Sequence, residues 1–168
     1  MITCGGQSVA IILKAFKDNS TNIKEVEVSS SISALSAGPA TRLNIDNYCT
    51  TTENLLKVIS GCSKTKAILV INPMDPPIMM RTSLYLEAEK IDINKTKIEL
   101  EKLLARVKRF VPGYEIIVKP TLINDNLATC TAKVIGAGHF LPSYAGNLDI
   151  INAAAVETAK SHYEKTRI

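Results

Sequence analysis

The stretch NIKEVEVSSSIS, residues 22–33, constrains the fold more than any other part of the chain. In an extended segment successive side chains point to opposite faces, which places Val26, Val28, Ser30 and Ile32 on one side and the carboxylates Glu25 and Glu27 on the other. A strand with that pattern belongs to a sheet that is wet on one face, and such sheets are mostly antiparallel. Helical patterns interleave with further strands able to pair antiparallel, which points to an α+β fold rather than a doubly wound α/β sheet.

The remaining segments fit this frame. Gln7 to Lys17 form a predicted helix, with Val9, Ile12, Leu13 and Phe16 at helical spacing and Asp18, Asn19 and Ser20 ending it. SAGPATRLN collects small, turn-forming residues. IDNYCTTTENLLKVIS follows as a second helix, with Leu55, Leu56 and Ile59 on its apolar side and Gly61 as its stop. KAILVIN is a continuous apolar run, the pattern of a strand covered on both faces, and Pro73, Pro76 and Pro77 end it because none can supply a ladder N–H. MMRTSLYLEAE is another strand. A third helix is expected from a cap at Asn94 through Phe110, with Leu100, Leu103, Leu104, Val107 and Val111 inward and Pro112-Gly113 beyond it. YEIIVKP and LATCTAKVIG read as two strands around a turn at Asn124, Asp125 and Asn126, and an alanine-rich helix runs from about Leu148 to Tyr163.

With 168 residues, one domain spanning 1–168 is expected. No run reaches the roughly 18 apolar residues of a membrane span, and the first residues lack a basic-then-apolar signal pattern, which places the chain in the cytoplasm. The net charge of +4 is dispersed; its densest group, Lys102, Arg106, Lys108 and Arg109, lies on one helix and reads as a solvated face. With no tryptophan and 5% aromatics, a nucleic-acid surface is not expected. Cys4, Cys49, Cys62 and Cys130 show no CxxC spacing, and only His139 and His162 accompany them, so neither a metal site nor a disulfide framework is expected.

Cys4 is the first candidate for chemistry. A thiolate at a helix N-terminus sits beside unpaired N–H groups and the positive end of the helix dipole, both of which favour ionisation. Gly5 and Gly6 leave room for a substrate carbonyl close to backbone N–H groups that could hold an oxyanion. The alternative is a small buried cysteine beside a loop. His139, in GAGHFLPSYAGN, could act as a base for Cys4, or could be structural; His162 is expected to face solvent. SAGPATRLN offers backbone N–H groups, the hydroxyls of Ser36 and Thr41 and the cation Arg42 to a phosphate or carboxylate, or is an ordinary turn. No GxGxxG fingerprint and no Walker A sequence occurs.

TCGGQ at 3–7, SAGPATRLNID at 36–46, KAILVINPMDPPIMMR at 66–81, VPGYE at 111–115 and HFLPSYAGNLDI at 139–150 occur in the order and approximate spacing of the acylating acetaldehyde dehydrogenases. The chain resembles that family over essentially its whole length. The resemblance implies conversion of acetaldehyde, NAD and coenzyme A to acetyl-CoA and NADH, in partnership with a 4-hydroxy-2-oxovalerate aldolase during breakdown of aromatic compounds. It implies that Cys4 is the nucleophile: its thiolate attacks the aldehyde, the thiohemiacetal gives hydride to NAD, and the thioester passes its acyl group to CoA. It assigns Ser36, Ala37, Gly38, Pro39, Ala40, Thr41, Arg42, Leu43 and Asn44, together with Asn147 of the NLD motif, to the NAD site.

Two departures from the family pattern shape the expectations. Family members carry a Rossmann NAD-binding domain with a glycine-rich fingerprint before the cysteine segment, absent from these residues, so the chain is expected to be the catalytic and dimerisation domain, as a fragment or truncated product, and inactive alone. That domain is similar to the C-terminal domain of glyceraldehyde-3-phosphate dehydrogenase-like enzymes: a mixed, largely antiparallel sheet with helices packed on one face, forming a homodimer through the sheet. Many relatives also carry an aspartate after the MMR motif where this chain has Thr82, which cannot act as a carboxylate base; Asp75 keeps an acidic position nearby. A non-catalytic dimerisation or interaction module, and an acyltransferase or thioesterase using Cys4 and His139, are the competing expectations.

Overall fold

The computed structural model describes residues 2–166. Helix α1 (Cys4–Asp18) runs along the middle of the molecule. It begins at Cys4, not Gln7, because the Thr3 hydroxyl caps it by accepting the Gly6 N–H at 3.0 Å. Val9, Ile12, Leu13 and Phe16 are fully buried along one stripe and form the centre of the core.

Strand β1 (Ser20–Ser33) follows, and its alternation is realised: Val26, Val28, Ser30 and Ile32 are buried while Glu25 and Glu27 are not. Past a short 3-10 turn (Ala34–Ser36), the segment read as a turn contains the short helix α2 (Pro39–Leu43), started by Pro39 in a first-turn position where a missing N–H costs nothing. Helix α3 (Ile45–Ser60) ends at Gly61, whose φ of 74° is left-handed and whose N–H donates to the Lys57 carbonyl at 2.9 Å.

Strands β2 (Thr65–Asn72) and β3 (Met80–Ile91) pair with β1 on either side, β2 parallel and β3 antiparallel. Helix α4 (Ile93–Val107) is capped by Asp92, whose carboxylate accepts the Lys95 N–H at 3.0 Å, rather than by Asn94. It ends at Val107, and a turn carries the chain through Phe110. Strands β4 (Tyr114–Leu122) and β5 (Leu127–Val134) form a hairpin whose turn is closed by Asn124, which accepts the N–H groups of Asn126 and Leu127. Helix α5 (Gly146–Thr166) extends past both expected ends.

The sheet order is β2-β1-β3-β5-β4, mixed only at the β1/β2 pair. Helices α1, α3, α4 and α5 cover the face on which Val26, Val28, Leu84, Leu86, Cys130 and Ala132 are buried. This is the expected α+β architecture. The other face is uncovered among the described residues and carries a run of small hydroxyl side chains across neighbouring strands: Ser29 and Ser31, then Ser83, then Thr131.

Strand β2 departs from its sequence reading. It is an edge strand with one covered face: Ala67, Leu69 and Ile71 turn toward the core, whereas Lys66, Ile68 and Val70 lie on the open face, with Val70 42% exposed. The apolar run is continuous because apolar residues fill both faces, yet among the described residues no element lies over the second. Among the described residues no helix is long and apolar enough to cross a membrane.

Candidate functional site

Because Thr3 caps α1, Cys4 occupies the helix's first position, and its side chain opens into a cavity of about 390 Å³. Six elements meet there. Ile32 and Leu69 come from β1 and β2, Thr41 from α2, Asn44 from the α2/α3 junction, Asn47, Tyr48 and Thr51 from α3, and Asn147, Leu148 and Ile151 from the first turns of α5.

The electrostatics of Cys4 differ from the helix-dipole expectation. Burial pushes its thiol up, and the opposing influence of the Gly5 N–H, the Tyr48 hydroxyl and its own N–H does not cancel that effect. The cavity wall supplies hydroxyls and amides but, among the described residues, no cation to stabilise the thiolate.

Gly5 and Gly6 do not serve as open space for substrate. A Cβ on Gly5 would lie 2.0 Å from the Tyr48 Oη and 2.4 Å from the Ser30 Oγ, so this glycine lets α1 close onto α3 and β1. Gly6 is packed against Ile2, Thr3 and Leu55, and its N–H is held by the Thr3 cap.

The segment from Ser36 to Asn44 divides in three. Thr41 and Asn44 reach the cavity. Ser36 and Ala37 are buried below it, with the Ser36 hydroxyl donating to the Ser33 carbonyl at 2.9 Å. Gly38, Pro39, Ala40, Arg42 and Leu43 face solvent outside the cavity lining, and the Arg42 guanidinium donates to the Ala34 carbonyl at 3.5 Å. Asn147 joins this segment to the cavity: its Nδ2 donates to the Ser36 carbonyl at 3.3 Å, while its Oδ1 is buried and has no hydrogen-bond partner.

His139 is exposed and absent from the cavity wall, and no interaction with Cys4 is formed, so the Cys4–His139 pair is not assembled. His162 is exposed on α5, as expected. Asp75 lies exposed in the β2–β3 connection. Thr82 is buried on the inner face of β3, where its Oγ1 lies 3.4 Å from the Ser30 Oγ. The sequence reading missed Tyr48. Its signal was available in the spacing of Asn44, Tyr48 and Thr51, which recur on one side of α3 and share the cavity.

Comparison with known proteins is decisive at the level of family. Residues 4–142 match the family described as prokaryotic acetaldehyde dehydrogenase, dimerisation. The chain belongs to that family. Named relatives include an acetaldehyde dehydrogenase of Pectobacterium atrosepticum, 47% identical over 156 residues that cover 93% of this chain and 52% of the relative. Another, from Spirochaeta aurantia, is 43% identical over 162 residues, 96% of this chain and 54% of the relative. The chain thus spans about half the length of these relatives. In fold it is similar to aspartate semialdehyde dehydrogenase II from Vibrio cholerae, with a TM-score of 0.56 at 13% identity, covering 94% of this chain and 57% of that one.

Proposed function

We propose that this domain carries the acyl-transfer centre of a cytoplasmic acylating acetaldehyde dehydrogenase, with Cys4 as nucleophile. The observation that supports this most is that Cys4 and Asn147, whose buried Oδ1 has no hydrogen-bond partner, line one cavity at the start of α1. In this reading the Cys4 thiolate attacks the carbonyl carbon of acetaldehyde, forming a C–S bond and a thiohemiacetal oxyanion. Loss of hydride from that carbon leaves an acetyl thioester on Cys4. The thiol of coenzyme A then attacks the thioester carbonyl, and Cys4 leaves as thiolate with acetyl-CoA as product.

NAD, when bound, supplies the hydride acceptor. The donor set fits such a group: a buried amide oxygen without a partner is an acceptor waiting for an N–H, which the carboxamide of a nicotinamide carries. Asn147 would hold that end, with Thr41 and Asn44 as polar neighbours on the same wall. Oxidation requires the nicotinamide close to the reacting carbon, and these residues contain no glycine-rich fingerprint to anchor it, so the domain by itself is expected to transfer acyl groups without oxidising aldehyde. Acetaldehyde supply from a 4-hydroxy-2-oxovalerate aldolase, and homodimerisation through the open sheet face, belong to the same reading.

The direct test is acylation in the reverse direction, which needs no NAD. Incubation with acetyl-CoA and peptide mapping by mass spectrometry should place the acetyl group on Cys4 and leave Cys49, Cys62 and Cys130 unmodified. Absence of acetyl-Cys4, or equal labelling of all four thiols, would leave a dimerisation module without chemistry as the better description.

A further inference from the structure

Tyr48 has a hydroxyl that the fold buries but does not use. It projects from α3 one turn after Asn44, and its Oη is fully buried without a well-formed hydrogen bond. The position is tight: a Cβ on Gly5 would come within 2.0 Å of that oxygen, so Oη is wedged against the first turn of α1. Its polar neighbours are Ser30, Thr3 and the Cys4 sulfur.

The two neighbouring hydroxyls already have partners. The Thr3 Oγ1 accepts the Gly6 N–H at 3.0 Å and pairs with the Thr52 Oγ1 at 2.7 Å, while the Ser30 Oγ faces the Thr82 Oγ1 at 3.4 Å. The sulfur is the neighbour that gains acceptor strength in the reaction, because ionisation turns a weak acceptor into an anion. A buried donor left open costs stability, and it persists where a charge formed later can use it.

We propose that Tyr48 is a positioning residue for Cys4, its hydroxyl donating a hydrogen bond to the sulfur when the thiolate forms and holding that thiolate at the cavity mouth. This rests on Cys4 being the nucleophile assigned above. The titration behaviour of both groups agrees with the geometry. Burial pushes Cys4 up and the Tyr48 hydroxyl opposes that push, while burial and the neighbouring Cys4 charge push Tyr48 itself far up, so the phenol keeps its proton and remains a donor. The elements around Cys4, namely α1, α2, α3, α5, β1 and β2, place no charged side chain in the cavity wall among the described residues, and Tyr48 is its only other titratable group.

The test is the pH profile of Cys4 alkylation by iodoacetamide, resolved by peptide, in the native chain and in Tyr48→Phe. Loss of a hydrogen bond to an ionised group should move the Cys4 profile up by about one pH unit and slow its alkylation near neutral pH about tenfold, with Cys49 unchanged as internal reference. Biosynthetic replacement of tyrosine by 3-fluorotyrosine, whose more acidic phenol is a stronger donor, should move the profile down, and decides the matter alone if Tyr48→Phe does not fold. An unshifted Cys4 profile in a folded Tyr48→Phe chain, or in the fluorinated native chain, overturns the proposal. Acetyl-CoA labelling of the same samples separates the two claims: a native chain that acylates at Cys4 with an unshifted profile refutes Tyr48 alone, whereas a shifted profile without acylation refutes the nucleophile.

Discussion

Replacement of Gly5 by alanine sets two effects of opposite sign against each other. Alanine is favoured over glycine in a helix by about 1 kcal/mol in an interior position, and less in the first turn where Gly5 stands. Against that gain, the new methyl would lie 2.0 Å from the Tyr48 Oη and 2.4 Å from the Ser30 Oγ, with the Ser30 Cβ at 3.2 Å. Ordinary contact between heavy atoms is about 3.5–4.0 Å, so relief requires movement of more than an ångström. The Ser30 hydroxyl can rotate, but Tyr48 holds its oxygen in a closed crevice and Ser30 lies in the central strand pair, so α1 and α3 must separate. Overpacking of this kind costs about 1–3 kcal/mol, which leaves a net loss of about 0.5–2.5 kcal/mol. Urea unfolding should show a lower midpoint at unchanged slope. In a Tyr48→Phe background the nearest contact is gone, and the penalty should shrink by about 0.5 kcal/mol or more. A neutral or stabilised Gly5→Ala chain, or an equal penalty in both backgrounds, would refute the packing role given to this glycine.

Two further outcomes follow from burial and from the open sheet face. Cys130 is fully buried, and burial pushes its thiol up to about 12. The native state therefore keeps a proton that an unfolded thiol releases above about pH 8.5, and stability should fall with rising pH by about 1.4 kcal/mol per unit over that window; Cys130→Ala, followed by urea titration between those limits, should show a shallower slope, and an identical slope contradicts the assignment. Val70 stands 42% exposed beside Ser31 on the uncovered face, so Val70→Glu should convert a dimer into a monomer in sedimentation velocity, whereas an unaltered dimer would move the interface elsewhere.

What was legible in the sequence was local. The alternation of β1 reports one covered face because the period of a strand is set by its own backbone, and Gly61 and Asn124 mark a helix end and a turn through bonds to residues a few positions away. Helix starts are less legible: Thr3 and Asp92 each accept an N–H three residues ahead, a pattern present in the sequence but obscured by the glycines after Cys4 and by the nearby Asn94. KAILVIN misleads because apolar residues on both faces imply two covers, and only one is supplied by the described residues.

The site was legible only as separate motifs. Cys4 and Asn147 are far apart in sequence, and it is the packing of α1, α3 and α5 on one sheet face that brings them to one cavity. The same packing leaves His139 exposed and buries the Cys4 thiol against the helix-dipole expectation, since exposure and burial are properties of the assembled fold. Tyr48 escaped notice because a tyrosine on a helix reads as packing until its hydroxyl is found buried against a cysteine.

Exchange of isotopically labelled coenzyme A into unlabelled acetyl-CoA measures the proposed chemistry as turnover, without NAD and without aldehyde. Each exchange requires Cys4 to take the acetyl group, release one CoA and return the group to another. Because burial holds the Cys4 thiol above its ordinary value, the exchange rate should climb as pH rises from neutral, and Cys4→Ser should abolish it while Cys49→Ser leaves it intact. Exchange that survives Cys4→Ser, or no exchange at any pH in a folded chain, would contradict the assignment of an acyl-transfer centre to this domain.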